Sequence, residues 1–173
     1  MGAVVSDTSV LNYLARLGRS ALLRDQFGHV IVPEAVLTEL DNRPDLPGAG
    51  CVRQAVAEGW MEIAAPENVA MVTLLREHLG FDESQAIVLA MEHAAACVLI
   101  DEAEGRQRAA ALGIPVVGTV GVLLRAKHDG VIRELSPRSF VFSWSNMASD
   151  CTPPSSRRCW QPQASLGSQR RKP

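Results

Sequence analysis

Cys97-Val98-Leu99-Ile100-Asp101 is a short apolar run that stops on an acid, and it is the clearest buried strand in the chain. Ala3-Val4-Val5-Ser6-Asp7 repeats the pattern near the start. Runs that are apolar on successive residues, rather than on alternate ones, suit strands covered on both faces. A helical pattern follows each: Val10, Leu11, Leu14 and Leu17 after the first, with Thr8 or Ser9 as cap, and Arg108, Ala109 and Leu112 after the second. Val30-Ile31-Val32 and Pro115-Val116-Val117 are further strands, and Met61-Glu62-Ile63 is a weaker one. Pro33 reads as the first helical residue before Val36, Leu37 and Leu40. Turn chemistry over residues 42–50 precedes a helix through Val52 and Val56, and another helical pattern runs from Val69 to Leu79 and breaks at Gly80. Asp82, with Gln85 three residues on, makes a capping-box pattern before the apolar face of Ala86, Ile87, Ala90, Met91 and Ala94. Val120–Ala126 forms a last helix. Strands alternating with helices predict an α/β fold around a parallel sheet, with the strand order left open.

Composition sets the outer limits. The chain has 173 residues, 47% hydrophobic and 21% charged, enough for one domain with a real core. Its net charge of −2 conceals a split. Residues 1–143 carry 18 acids and 12 bases, whereas residues 144–173 carry one acid, Asp150, and five bases. The expected organisation is therefore a domain over 1–143 and an irregular, disordered basic tail over 144–173, where the helical and strand periods are lost. Cys51, Cys97, Cys151 and Cys159 form no C-x-x-C pair, which suits reduced thiols. With no charged and apolar leader pattern and no apolar run near the roughly 20 residues of a membrane span, the expected location is cytoplasmic.

Asp7 and Asp101 both stand where a strand ends. In open α/β sheets the ligand crevice lies outside the carboxyl ends of the strands, so neighbouring strands would bring these two acids to one crevice. Close carboxylates repel, and a divalent cation is the usual remedy. Oxygen ligands favour magnesium or manganese over zinc. Either Asp alone could equally be a helix N-cap. Glu39, beside the Val36/Leu40 stripe, and Glu83, in the first turn of its helix, could be a solvated residue and a helix-dipole partner. Asp41, Glu58, Glu67 and Glu92 read as ordinary surface charges. His29, His78, His93 and His128 show no ligand spacing.

In order along the chain stand Asp7-Thr8-Ser9-Val10-Leu11, Val-Pro-Glu-Ala-Val-Leu-Thr-Glu-Leu over residues 32–40, and Asp82-Glu83-Ser84-Gln85-Ala86-Ile87. Leu99-Ile100-Asp101-Glu102, Gly105-Arg106 and Gly118-Thr119-Val120-Gly121-Val122-Leu123-Leu124 complete the series. Over about residues 3–135 this resembles the PIN-domain family, most of all the small prokaryotic PIN proteins related to toxins of VapBC-type toxin–antitoxin pairs. The resemblance implies a three-layer fold with a mainly parallel sheet flanked by helices. It also implies a metal-dependent endoribonuclease whose acids surround Mg2+ or Mn2+. By position Asp7 matches the first acid, Glu39 the second, Glu83 the third and Asp101 the fourth. Ser9 matches a small hydroxyl residue that supports the site. Glu102 and Gln85 depart from the pattern, standing where related sequences often carry a second aspartate and a second glutamate, which bears on an auxiliary metal position.

The implied partners are an RNA substrate, a second copy in a homodimer and a cognate antitoxin polypeptide. Arg16, Arg106, Arg108, Arg125 and Lys127 are the bases available to attract RNA to an acidic crevice. A receiver domain would need an early acidic pair and a late Lys after a strand, and here a single Asp7 stands early and Gly-Thr follows Val117. A haloacid-dehalogenase phosphatase would need an Asp where Ser9 stands. The remaining alternative is an inactive or regulatory PIN-like metal-binding module.

Overall fold

A computed structural model of the chain describes residues 2–43 and 46–132. The strands are β1 (Val4–Ser6), β2 (Val30–Pro33), β3 (Met61–Ala64), β4 (Cys97–Leu99) and β5 (Val116–Val117). The helices are α1 (Thr8–Arg16), α2 (Ala21–Phe27), α3 (Glu34–Asn42), α4 (Gly48–Ala57), α5 (Val69–Leu75), α6 (Phe81–Glu92), α7 (Ala103–Ala111) and α8 (Thr119–His128). All five strands anticipated from the apolar runs are present. They pair in parallel, in the order β3-β2-β1-β4-β5. The chain thus builds outward from β1 through β2 to β3, then returns to the other side of β1 for β4 and β5. That reversal places the topological switch point between β1 and β4.

Strand parity sorts the core into two layers. Val4, Val30, Val32, Cys97 and Leu99 face one side and pack with Leu11, Leu14, Leu23, Val36, Val52 and Val122 from α1, α2, α3, α4 and α8. Val5, Ile31 and Val98, with Ile100 just beyond β4, face the other and pack with Val72, Ile87 and Ala109 from α5, α6 and α7. Because both faces are covered, neither face of a strand is left polar, and the alternation usual in half-exposed strands is missing from the sequence. The expected three-layer α/β architecture is the one observed.

Local boundaries differ from the sequence reading for identifiable reasons. Asp7, rather than Thr8 or Ser9, caps α1 by accepting a hydrogen bond from the Val10 N–H at 3.0 Å. Pro33 belongs to β2, in register with Ala64, and α3 opens at Glu34. Helix α5 stops at Leu75, although Leu79 remains buried after a further turn in which its N–H bonds to the Leu75 carbonyl at 3.0 Å. Helix α2 buries only Leu22 and Leu23, too few apolar positions for a 3.6-residue period to show in sequence. The expected domain boundary at residue 143 and the basic tail over 144–173 lie outside the described residues.

Leu99 is fully buried between β1 and β5 in the first layer. Leu99→Ala is expected to lower stability by about 2–5 kcal/mol, read as a reduced midpoint in urea denaturation. A change below ~1 kcal/mol would contradict this layer assignment.

Candidate active site

The pairing of β1 with β4, Ser6 against Leu99, carries Asp7 and Asp101 to the same end of the sheet. The Asp7 N–H closes the ladder on the Leu99 carbonyl at 3.0 Å. Asp7 is wholly buried. Its Oδ1 accepts from the Val10 N–H at 3.0 Å and its Oδ2 from the Ser9 hydroxyl at 2.7 Å. The helix-cap reading of this residue is therefore the one its contacts show, and the cap stands at the same end of the sheet as Asp101. Burial raises the Asp7 carboxyl well above the usual aspartate range, and the charges of Asp101 and Asp82 push the same way, against the two hydrogen bonds.

Asp101 is half-buried and directed across to α8. Its Oδ1 accepts from the Thr119 N–H at 2.7 Å and its Oδ2 from the Thr119 hydroxyl at 2.5 Å. Gly118, the residue before α8, has no side chain with which to cap it, so Asp101 serves as the cap from another element. Glycine at 118 leaves these groups where they are: a Cβ would stand 2.7 Å from Asp101 Oδ1 and 2.8 Å from Arg106 Nη1, and the two side-chain ends would have to shift.

Glu83 comes from the opposite layer. The sequence pattern places a cap at Asp82 with Gln85 at the third helical position, but α6 begins at Phe81. The two-residue offset gives the third position to Glu83, whose Oε2 accepts from the Gly80 N–H at 3.1 Å. Gln85 is instead buried, and its Oε1 accepts from the Ala35 N–H at 3.0 Å, joining α6 to the start of α3. Glu83 Oε1 is buried and has no hydrogen-bond partner. A Cβ on Gly105 would press on that oxygen and on Ile100 Cγ2, so glycine on α7 leaves the oxygen its present position. Burial, followed by the charges of Glu102, Asp82 and Glu104, raises the Glu83 carboxyl to about 7.

Glu39, half-buried on α3, is near enough to Glu102 for its charge to raise the Glu102 carboxyl. Burial is the larger cause of that rise, and Asp82 and Asp101 add to it. Glu102 stands at the N-cap position of α7, with its residue surface exposed and its carboxyl only partly shielded from solvent. The acids named from the sequence, Asp7, Glu39, Glu83, Asp101 and Glu102, thus lie at one end of the sheet. The capping pattern assigns Asp82 no role beyond a helix cap, yet its charge bears on Asp7, Glu83 and Glu102 alike. Its position beside Glu83 was the available sign. Among the described residues none of these six acids forms an ion pair. By contrast, Asp41 pairs with Arg53, Glu58 with Arg24, and Glu92 accepts from the Glu67 and Asn68 N–H groups. All four histidines are exposed, and His29 and His128 face Glu62 and Asp129.

Among the described residues no three His, Cys, Asp or Glu side chains are gathered tightly enough to hold a metal unaided. The donor set nevertheless suits a hard cation that keeps much of its water shell, as magnesium does with only one or two carboxylates. The unpartnered Glu83 Oε1 and the buried Asp7, whose carboxyl burial raises, are the groups such an ion would relieve.

The PIN-domain family DUF3368 matches residues 3–139. The fold is similar to that of the PilT N-terminus domain protein SSO1118 from the hyperthermophilic archaeon Sulfolobus solfataricus P2. The TM-score is 0.51 and the identity 15%, over 72% of this chain and 92% of that one, a likeness of fold alone. No curated protein matches the chain in sequence. Among the described residues no helix is long and apolar enough to cross a membrane. With most of its length matched, the chain belongs to the PIN-domain family, whose members are generally nucleases and typically use divalent metal ions.

Proposed function

We propose that this PIN domain is a metal-dependent endoribonuclease that hydrolyses RNA phosphodiester bonds. The observation that carries the reading is the convergence of Asp7 and Asp101 at the switch point, with a Glu83 oxygen left buried and unpartnered on α6 of the neighbouring layer. Asp7 and Asp101 would hold Mg2+ or Mn2+, with Glu83 and Glu39 completing the shell directly or through water. When bound, such an ion supplies charge neutralisation at a phosphate and lowers the pKa of a nearby water.

The protein's own groups set the stage for that chemistry. Ser9 fixes the Asp7 carboxylate through Oδ2, leaving Oδ1 on the Val10 N–H. Thr119 fixes Asp101 with both its N–H and its hydroxyl. Two carboxylates held at both oxygens lose little orientational freedom when a ligand arrives, which favours a preorganised site. Glu83, whose carboxyl titrates at about 7, can hold or release a proton near neutral pH. Single-stranded RNA or a loop is the substrate class, because the deep A-form groove shields its bases. We further propose that the protein is the toxin of a toxin–antitoxin pair, works as a homodimer and is silenced by a separate antitoxin polypeptide, on the strength of its motif series.

Purified protein is expected to cleave RNA with Mg2+ or Mn2+ and to stop when EDTA is added. Asp7→Asn keeps an amide oxygen able to cap α1, so it should fold, yet it should lose a factor of roughly 100 or more in cleavage rate. Asp101→Asn should do the same. Folded variants that cleave like the parent would exclude this site. Folded parent protein that binds Mn2+ without cleaving RNA would point to the regulatory alternative. Induced expression is expected to arrest bacterial growth, and Asp7→Asn to relieve the arrest.

Stability of the metal-free protein should also depend on pH. The Glu83 carboxyl rises from 4.5 to about 7 on folding, and Asp7 rises as well. The folded state therefore binds more protons than the unfolded state, so the stabilisation is complete below about pH 4 and is lost as pH climbs through 7. In EDTA, melting is expected to be several degrees lower at pH 8 than at pH 5. Glu83→Gln should flatten that difference; an unchanged pH dependence in this variant would refute the assignment.

A further inference from the structure

Of the five bases expected around the acidic crevice, Arg106 is the one whose contacts place it there. Arg16, Arg108 and Lys127 are exposed, and Arg125 pairs with Asp129 at 3.8 Å along its own helix. Arg106 is half-buried on α7, and its Nη1 donates to the Ile100 carbonyl at 3.1 Å. Ile100 immediately precedes Asp101, so the guanidinium is tied to the backbone that delivers the fourth acid. The bare Cα of Gly118 marks the same spot from the other side, with Arg106 Nη1 and Asp101 Oδ1 both against the place a Cβ would occupy.

The two charges stand side by side without pairing. Asp101 has committed Oδ1 and Oδ2 to Thr119, and Arg106 forms no ion pair among the described residues. A guanidinium has five N–H donors in a planar fork, and the Ile100 carbonyl takes one of them. What remains is a fixed cation, with donors to spare, at the edge of a crevice whose six acids would repel a polyanion. Two parallel N–H donors match two oxygens of one phosphate, a match that a lysine ammonium cannot make.

We propose that Arg106 is a substrate-binding residue that grips a phosphate of the RNA strand beside Asp101, its side chain aimed by the Ile100 carbonyl. The proposal rests on the ribonuclease reading and adds the group that draws the substrate backbone into an acidic site. Glycine at 118 suits this role, since a Cβ there would displace the ends of both Asp101 and Arg106.

The test compares the full-length parent with Arg106→Gln and Arg106→Lys, each checked by thermal melting. Steady-state cleavage of a fluorescein-labelled single-stranded RNA is followed with Mg2+, and RNA binding is measured by anisotropy in the Asp7→Asn background across a salt series. Arg106→Gln is expected to raise KM by about tenfold to a hundredfold, the range for a lost charge-assisted contact. It should also reduce the slope of log affinity against log salt by about 0.7, the loss of one single-strand phosphate contact. Arg106→Lys, which keeps the charge but not the fork, should fall between, and millimolar guanidinium should restore part of the Arg106→Gln cleavage. A role confined to holding α7 against Ile100 would lower the melting temperature while leaving the salt slope and guanidinium response untouched, and would overturn the proposal. So would Arg106→Lys matching the parent. If the parent neither binds nor cleaves RNA, the ribonuclease reading falls and this proposal with it; if the parent cleaves and Arg106→Gln keeps its KM and salt slope, only this proposal falls.

Discussion

The parallel pairing of β1 with β4, Ser6 beside Leu99, is the constraint on which the site depends. Any two neighbouring strands of a parallel sheet end on the same edge, so acids placed one residue beyond β1 and two beyond β4 cannot avoid each other. Their repulsion is part of what holds the Asp7 carboxyl above its ordinary range, although burial is the larger cause. A charge placed there without a partner would oppose folding. The protein meets this with the N–H groups at the starts of two helices: Val10 answers Asp7, and Thr119 answers Asp101. The helix ends are thereby capped by the residues that define the crevice, which couples the stability of α1 and α8 to the site.

The second layer contributes in another way. Helix α6 is buried along Glu83 to Ala90, and this burial brings Glu83 beneath the edge of the sheet. There one carboxylate oxygen is satisfied by Gly80 and the other is left without a partner. Glycine at 105 permits the approach from α7, and glycine at 118 does the same for Asp101 and Arg106. Both glycines act by the absence of a Cβ beside a charged group rather than by an unusual backbone angle. The arrangement of these acids thus depends on the space left by the two glycines as well as on the hydrogen bonds that hold them.

Much of this was legible beforehand. The strand-terminal aspartates follow from apolar runs that stop abruptly, and the motif order pointed to Glu39, Glu83, Ser9 and Glu102. Asp82 was harder to see, because an acid two residues after a glycine at a helix start is an ordinary capping pattern. Only the actual start at Phe81 moves Asp82 into the first turn and transfers the reciprocal hydrogen bond to Glu83. Gln85 likewise looked like a capping partner or an altered metal position, and it proves to be the acceptor that links α6 to the Ala35 N–H. Helix boundaries respond to packing that a single periodic pattern does not contain.

The sequence by itself determined the α/β class, the five strands and the two aspartates at strand ends, because hydrophobic period and chain punctuation are local properties. Tertiary structure alone decided the order β3-β2-β1-β4-β5, which makes β1 and β4 neighbours and brings two separate aspartates to one end of the sheet. It also decided which Asp101 oxygen meets which Thr119 donor, which Glu83 oxygen goes without, and where Arg106 is anchored. Those are facts about groups far apart in the chain and close in space. No local pattern encodes them, because the distances involved are set by the packing of whole layers rather than by the residues between.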